Sequence, residues 1–150
     1  MKLGMFLHSG CLFLAAVLTL GVPPANGQTA KALLLFGGRD HKTFLGCLNC
    51  VATNSNSVCN KYGAFGSKYE SDSLWNRYGE FGSKYEDHSP WNKYTDEAPI
   101  IVDRDGGSYG YFSLNKYHHD RTQIGWLVAI LDYQDSEDDL DKTRDKMCGD

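Results

Sequence analysis

Cys47, Cys50 and Cys59 are spaced C-x2-C-x8-C, and a fourth cysteine, Cys148, lies far downstream. Thiols in this arrangement support three chemistries. Two of the first three can form a disulfide while the third stays free or pairs with Cys148. With His41 they can make a Cys3His tetrahedral zinc site. Cys47-x-x-Cys50 can be a thioredoxin-type redox pair. Redox folds place such a pair at a helix N-terminus after a strand, and here it lies in a loop that opens a repeat. Thiols in an oxidising compartment tend to be oxidised, which weighs against zinc. Cys59 also stands where later units carry a core aromatic, so we read Cys47, Cys50 and Cys59 as structural cysteines.

Two other clusters invite chemistry. His118-His119-Asp120 suggests acid–base work, but no nucleophile elbow and no H-E-x-x-H motif accompanies it. Solvent-exposed histidines near a helix start are the plainer reading. Asp103-x-Asp105-Gly106 resembles half a calcium loop, but Leu114 stands where the closing Glu of such a loop would be. A hairpin turn accounts for it better. The acids at 137, 138, 139 and 141 read as a solvated helix face. No catalytic residue, metal or cofactor is assigned.

The residues that position these groups are dominated by a period of 16. "SVCNKYGAFGSKYESD" begins at Ser57, "SLWNRYGEFGSKYEDH" at Ser73, and the stub "SPWNKY" at Ser89. A fixed period means one local conformation used repeatedly, each unit lying on its neighbour. The pattern predicts short strands and turns: each unit is either a single helical turn ended by Gly79, a reversal at Gly82-Ser83 and an extended piece, or one coil of a β-solenoid. Few aliphatics occur between 57 and 94, so the rings should supply the interior. Some tyrosines should still reach the surface. Trp75, Tyr78, Tyr85 and Trp91 are the candidate ligand-stacking aromatics. Two units and a stub cannot bury a core alone, so flanking segments must close them.

Those flanks are legible. "KALLLF", 31–36, reads as a buried strand, and "RDHKTFLGCLNC" as a loop into the cysteines. "IIVDRDGGSYGYFSL" is a hairpin signal centred on Asp-Gly. "TQIGWLVAILDY" reads as an apolar helix capped by Thr122 or Asp120. A break at Gln134-Asp135 and a second, polar helix from Ser136 follow, as a loosely docked tail.

The N-terminus has Lys2, an apolar run from Leu3 to Leu20, then Pro23, Pro24 and Ala25-Asn26-Gly27. That is the plan of a secretory signal peptide cut before Gln28. The run barely reaches the roughly 20 residues a spanning helix needs, so no membrane span is expected after signal removal. Residues 57–94 hold five basic and five acidic side chains, and 134–150 hold seven acids against three bases. With no basic stripe to neutralise phosphates, nucleic acid is excluded as a partner.

These motifs together resemble those of a group of small exported bacterial proteins of unknown function. They share tandem S-x-[WFC]-N-x-Y-G-x-[YF]-G-S-x-Y units, with a K-T-F-L-G-C-L-N-C lead and a P-x-[IV]-I-V-D-x-x-G-x-x-Y-G-Y-[FL] hairpin. Here the lead is Lys42 to Cys50, the units Ser57 to Tyr94 and the hairpin Pro99 to Phe112. The resemblance spans about 42–122; Thr53 departs from the Tyr expected there, and the tail is not covered. It implies bacterial export and no particular activity.

The expected architecture is therefore α+β: a signal peptide over 1–27, a repeat-containing β-rich domain over 28–122, and a helical tail over 123–150 packed on that domain. The stacked 16-residue units, solenoid-like, are closed by the hairpin and the helix. A secreted or periplasmic, non-catalytic structural or binding module is the first functional reading, its partner a glycan or an envelope protein. The alternative is an envelope-acting hydrolase or thiol-redox enzyme using His118, His119 or the cysteines.

Overall fold

The apolar run Leu34–Gly37 is a strand, β1, whose burial alternates, with Leu35 fully buried. The computed structural model describes residues 30–149; the expected signal peptide lies outside them. Strand β2, Thr43–Cys47, returns antiparallel to β1 through a turn in which Gly38 and His41 both take positive φ. Sequence reading assigns this segment to a loop. Its pairing with β1 is what makes it a strand, and no local pattern in "TFLGC" announces that.

The other side of β1 pairs with β3, Ile100–Val102, which forms the expected hairpin with β4, Ser108–Tyr111. The four antiparallel strands run in the order β2-β1-β3-β4. Leu35, Leu45 and Ile101 point from this sheet into the core.

The chain between β2 and β3 has neither helix nor strand among the described residues, apart from one bridge from Ser57 to Cys47. The expected short strands are replaced by consecutive turns. Backbone N–H groups donate to carbonyls three residues earlier at Asn60, Gly63, Ser73, Asn76, Gly79, Gly82, Glu86, Ser89 and Asn92. A four-residue step, Ser67 to Gly63 and Ser83 to Gly79, occurs once per unit. Turns of this kind suit Gly, Asn and Ser far better than a pleated strand does.

Helix α1 spans Gly125–Glu137 and α2 spans Leu140–Cys148. The first runs through the expected break because Gln134 is buried and its Oε1 accepts from Thr143 Oγ1 at 2.6 Å. Asp138 ends α1 in the left-handed conformation. Neither Thr122 nor Asp120 caps α1: its cap is Ile124, without a side-chain bond. Asp139 caps α2, accepting from Asp141 and Lys142 N–H.

The tail is firmly docked, against expectation. Cys59 is disulfide-bonded to Cys148, and the buried Arg144 donates to Gly66 O at 3.2 Å and Cys59 O at 3.4 Å. No helix among the described residues is long and apolar enough to cross a membrane.

Candidate functional site: a tyrosine-edged groove along the repeat

The units at Ser57 and Ser73 begin with a serine whose side chain reaches back. Ser57 Oγ donates to Cys50 O and Ser73 Oγ to Phe65 O, and Thr95, outside the 16-residue frame, makes a similar contact with Asp87 O. Two residues on, the unit turns a large side chain inward. Trp75 Nε1 donates to Val58 O and Trp91 Nε1 to Leu74 O, both at 2.6 Å. Donor and acceptor are each displaced by 16 residues between the two bonds. The indole rings lie 5.6 Å apart, and Phe112 from the hairpin meets Trp91 edge-on at 5.5 Å.

The asparagine that follows sets a turn. Its Nδ2 donates six residues back, Asn76 to Glu70 O and Asn92 to Glu86 O. Its Oδ1 accepts the N–H of the tyrosine two residues on, Tyr62, Tyr78 or Tyr94. Ser67 and Ser83 hold Tyr69 and Tyr85 in the same way. Tyr117 repeats the device outside the 16-residue frame, its N–H bound to Asn115 Oδ1. These six tyrosines are all at least 81% exposed, whereas Trp75 and Trp91 are 2% exposed. Of the four candidate stacking aromatics, then, only Tyr78 and Tyr85 present their rings to solvent. The tryptophans are core, as the shortage of aliphatics predicts.

Between successive tyrosines the surface dips. Four depressions follow one another, sharing walls at Tyr69, Tyr78 and Tyr85. Their volumes run from about 440 to 530 Å³, within the range of clefts that hold small ligands, about 300–1,000 Å³. Trp75 contributes to the floor of one and Trp91 to two others. The opposite wall comes from the tail, chiefly Asp138 and Asp141.

Four cations along the groove are paired with carboxylates of the tail. Arg77 meets Asp141 at 2.8 Å, Lys84 meets Asp138 at 2.6 Å, and Lys93 and Lys116 share the two oxygens of Asp135 at 2.5 and 2.8 Å. Lys116 first and Lys93 second hold the Asp135 carboxyl below its ordinary range, and Asp138 raises the Lys84 ammonium. Lys84 also lies 5.7 Å from the Tyr85 ring centre.

The other candidates serve the scaffold. Cys47–Cys50 and Cys59–Cys148 are disulfides, which realises the structural reading with Cys148 as the partner of Cys59. His41 faces Ala98 O at 3.1 Å and the Tyr111 ring, not the cysteines. His118 is buried, contrary to expectation. Its Nε2 donates to Asp96 O, its Nδ1 accepts Asp120 N–H, and its ring lies 4.3 Å from that of Tyr111. His119 is exposed, its Nε2 lying 2.9 Å from Asp120 Oδ2.

Asp103 anchors the hairpin turn. It accepts from Tyr109 OH and Gly107 N–H at 2.8 Å, Asp105 N–H at 2.9 Å and Lys31 Nζ at 3.1 Å. The Tyr109 bond, then that of Gly107, holds its carboxyl well below the ordinary carboxylate range.

Sequence reading misses the acid wall of the groove, whose signal is the spacing of Asp138 and Asp141. It also misses Tyr117, an exposed ring held like the others, although Asn-Lys-Tyr at 115–117 repeats 60–62 and 92–94. The chain matches no family model, no curated protein and no solved structure.

Proposed function

We propose that the chain is an exported, non-catalytic binding module of the cell envelope. In this reading its units lie as successive coils, and their outward tyrosines bind a glycan. The observation that carries it is the contrast within one unit: tryptophans inside, tyrosines at least 81% exposed and each held by a side chain two residues earlier. Large exposed rings cost solvation, and a row of them in fixed orientation marks a contact surface. The apolar C–H faces of sugar rings stack on such aromatics, and the phenol hydroxyls meet sugar hydroxyls. Two disulfides suit an oxidising compartment outside the cytoplasm. The likeness of the motifs to those of small exported bacterial proteins supports the same placement.

The enzyme reading has weaker support, because both ring nitrogens of His118 are engaged by backbone and Cys59 ties down the tail. The test is a glycan array probed with purified residues 28–150, disulfides intact. Binding to a defined set of glycans, lost about tenfold or more in Tyr78→Ala and Tyr85→Ala, is expected. A correctly folded domain that binds no glycan would end the proposal.

A further inference from the structure

We infer that the four linked depressions form one continuous groove for an extended, uncharged polysaccharide, with the acidic tail acting as the element that turns anionic chains away. The inference rests on the glycan-binding reading and narrows it to a ligand class.

Continuity is the first ground. Neighbouring depressions share Tyr69, then Tyr78, then Tyr85, so the four form an unbroken series along one face. A ligand that fills only one depression leaves the other tyrosines without a role. A polymer uses each in turn, and a repeated protein surface suits a repeated ligand.

Charge is the second ground. Every unit places a cation immediately before its outward tyrosine: Lys61, Lys68, Arg77, Lys84, Lys93 and, off the period, Lys116. Taken alone, that row would attract a polyanion. Arg77, Lys84, Lys93 and Lys116 instead each face a tail aspartate within 2.8 Å. An anionic chain entering the groove would have to break those pairs and lie against Asp138 and Asp141, which line its wall. Like charges at that range disfavour the complex. A neutral chain meets paired charges that can still donate to and accept from its hydroxyls, with no ion to displace. The binding it predicts is therefore insensitive to salt.

The experiment is calorimetric titration of residues 28–150 with neutral β-linked gluco- and chito-oligosaccharides of increasing length, alongside polygalacturonate and dextran sulfate, at low and high salt. Affinity for a neutral series should rise with each added ring and level off once the groove is filled. It should change less than about twofold between roughly 50 and 500 mM salt. The double variant Asp138→Asn/Asp141→Asn should acquire salt-sensitive binding to dextran sulfate, because it frees Arg77 and Lys84. Retention of the Cys59–Cys148 bond and the far-UV spectrum reports that the variant is folded. If wild type instead prefers the polyanions, with affinity falling steeply in salt, the inference is overturned and the glycan reading stands. Neutral oligosaccharides that bind with no dependence on length would also overturn it. If no saccharide binds, both fall.

Discussion

At the scale of single residues, the glycines of the repeat separate conformational need from spatial need. Gly82 has no positive φ, yet a Cβ placed on it would lie 2.1 Å from Asn76 O, and Gly66 stands in the same relation to Asn60 O. The obstacle is backbone, so it cannot swing aside. Gly82→Ala should lower unfolding free energy by about 3 kcal/mol or more, read from the denaturant midpoint. Gly79→Ala, where the nearest atoms belong to the Asn76 side chain at 3.2 Å, should cost clearly less. Equal losses at the two sites would contradict the packing. Asp103 gives a pH prediction. Its folded-state carboxyl titrates below the unfolded value, through the Tyr109 bond first. The stability it contributes is therefore fully present above the ordinary Asp value of about 3.9, and it is lost as pH falls from there through the folded value. Between about pH 4 and 2 the wild-type midpoint should drop more steeply than that of Asp103→Asn. Parallel curves would remove Asp103 as the cause.

At the scale of elements, sequence and structure agree where local chemistry suffices. The β3–β4 hairpin is legible because a β-branched run meets Asp-Gly, and α1 because its apolar residues outlast any strand. Strand β2 is illegible because its partner β1 makes it one. The period of the repeat is plain in the sequence, but its conformation is not: Asn, Ser and Gly suit both a turn and a strand corner, and only the three-residue hydrogen-bond step decides. The tail's docking escapes too, since it depends on a bond between residues 89 apart. That bond closes a long loop, for which chain entropy gives about 4.6 kcal/mol. Cys148→Ser should lower stability by about 2–5 kcal/mol, and native-state hydrogen exchange should speed up first in α2. Unchanged exchange there would show that Arg144 and Leu140 hold the helix unaided.

At the scale of the whole molecule, the sheet, the turn segment and both helices share one core, in which Leu35, Trp75, Trp91, Phe112 and Leu131 are all buried. Of the three tryptophans only Trp126, 42% exposed, meets solvent substantially. In Trp126→Phe the remaining emission should shift to the blue and resist acrylamide quenching. It should then be lost in one denaturant transition that coincides with far-UV circular dichroism. Two separated transitions would mean that the turn segment and the sheet unfold independently. The tail also keeps count. Lys93 and Arg77 are sixteen residues apart in the chain, and their partners Asp135 and Asp141 are six apart. Suppose one further sixteen-residue unit were inserted after Tyr94. A chain lengthened in that way would outrun its own ruler: cations of the new copy would find no aspartate, and Cys148 would fall a full step short of Cys59. The two C-terminal helices are thus matched in length and charge spacing to the units this chain carries.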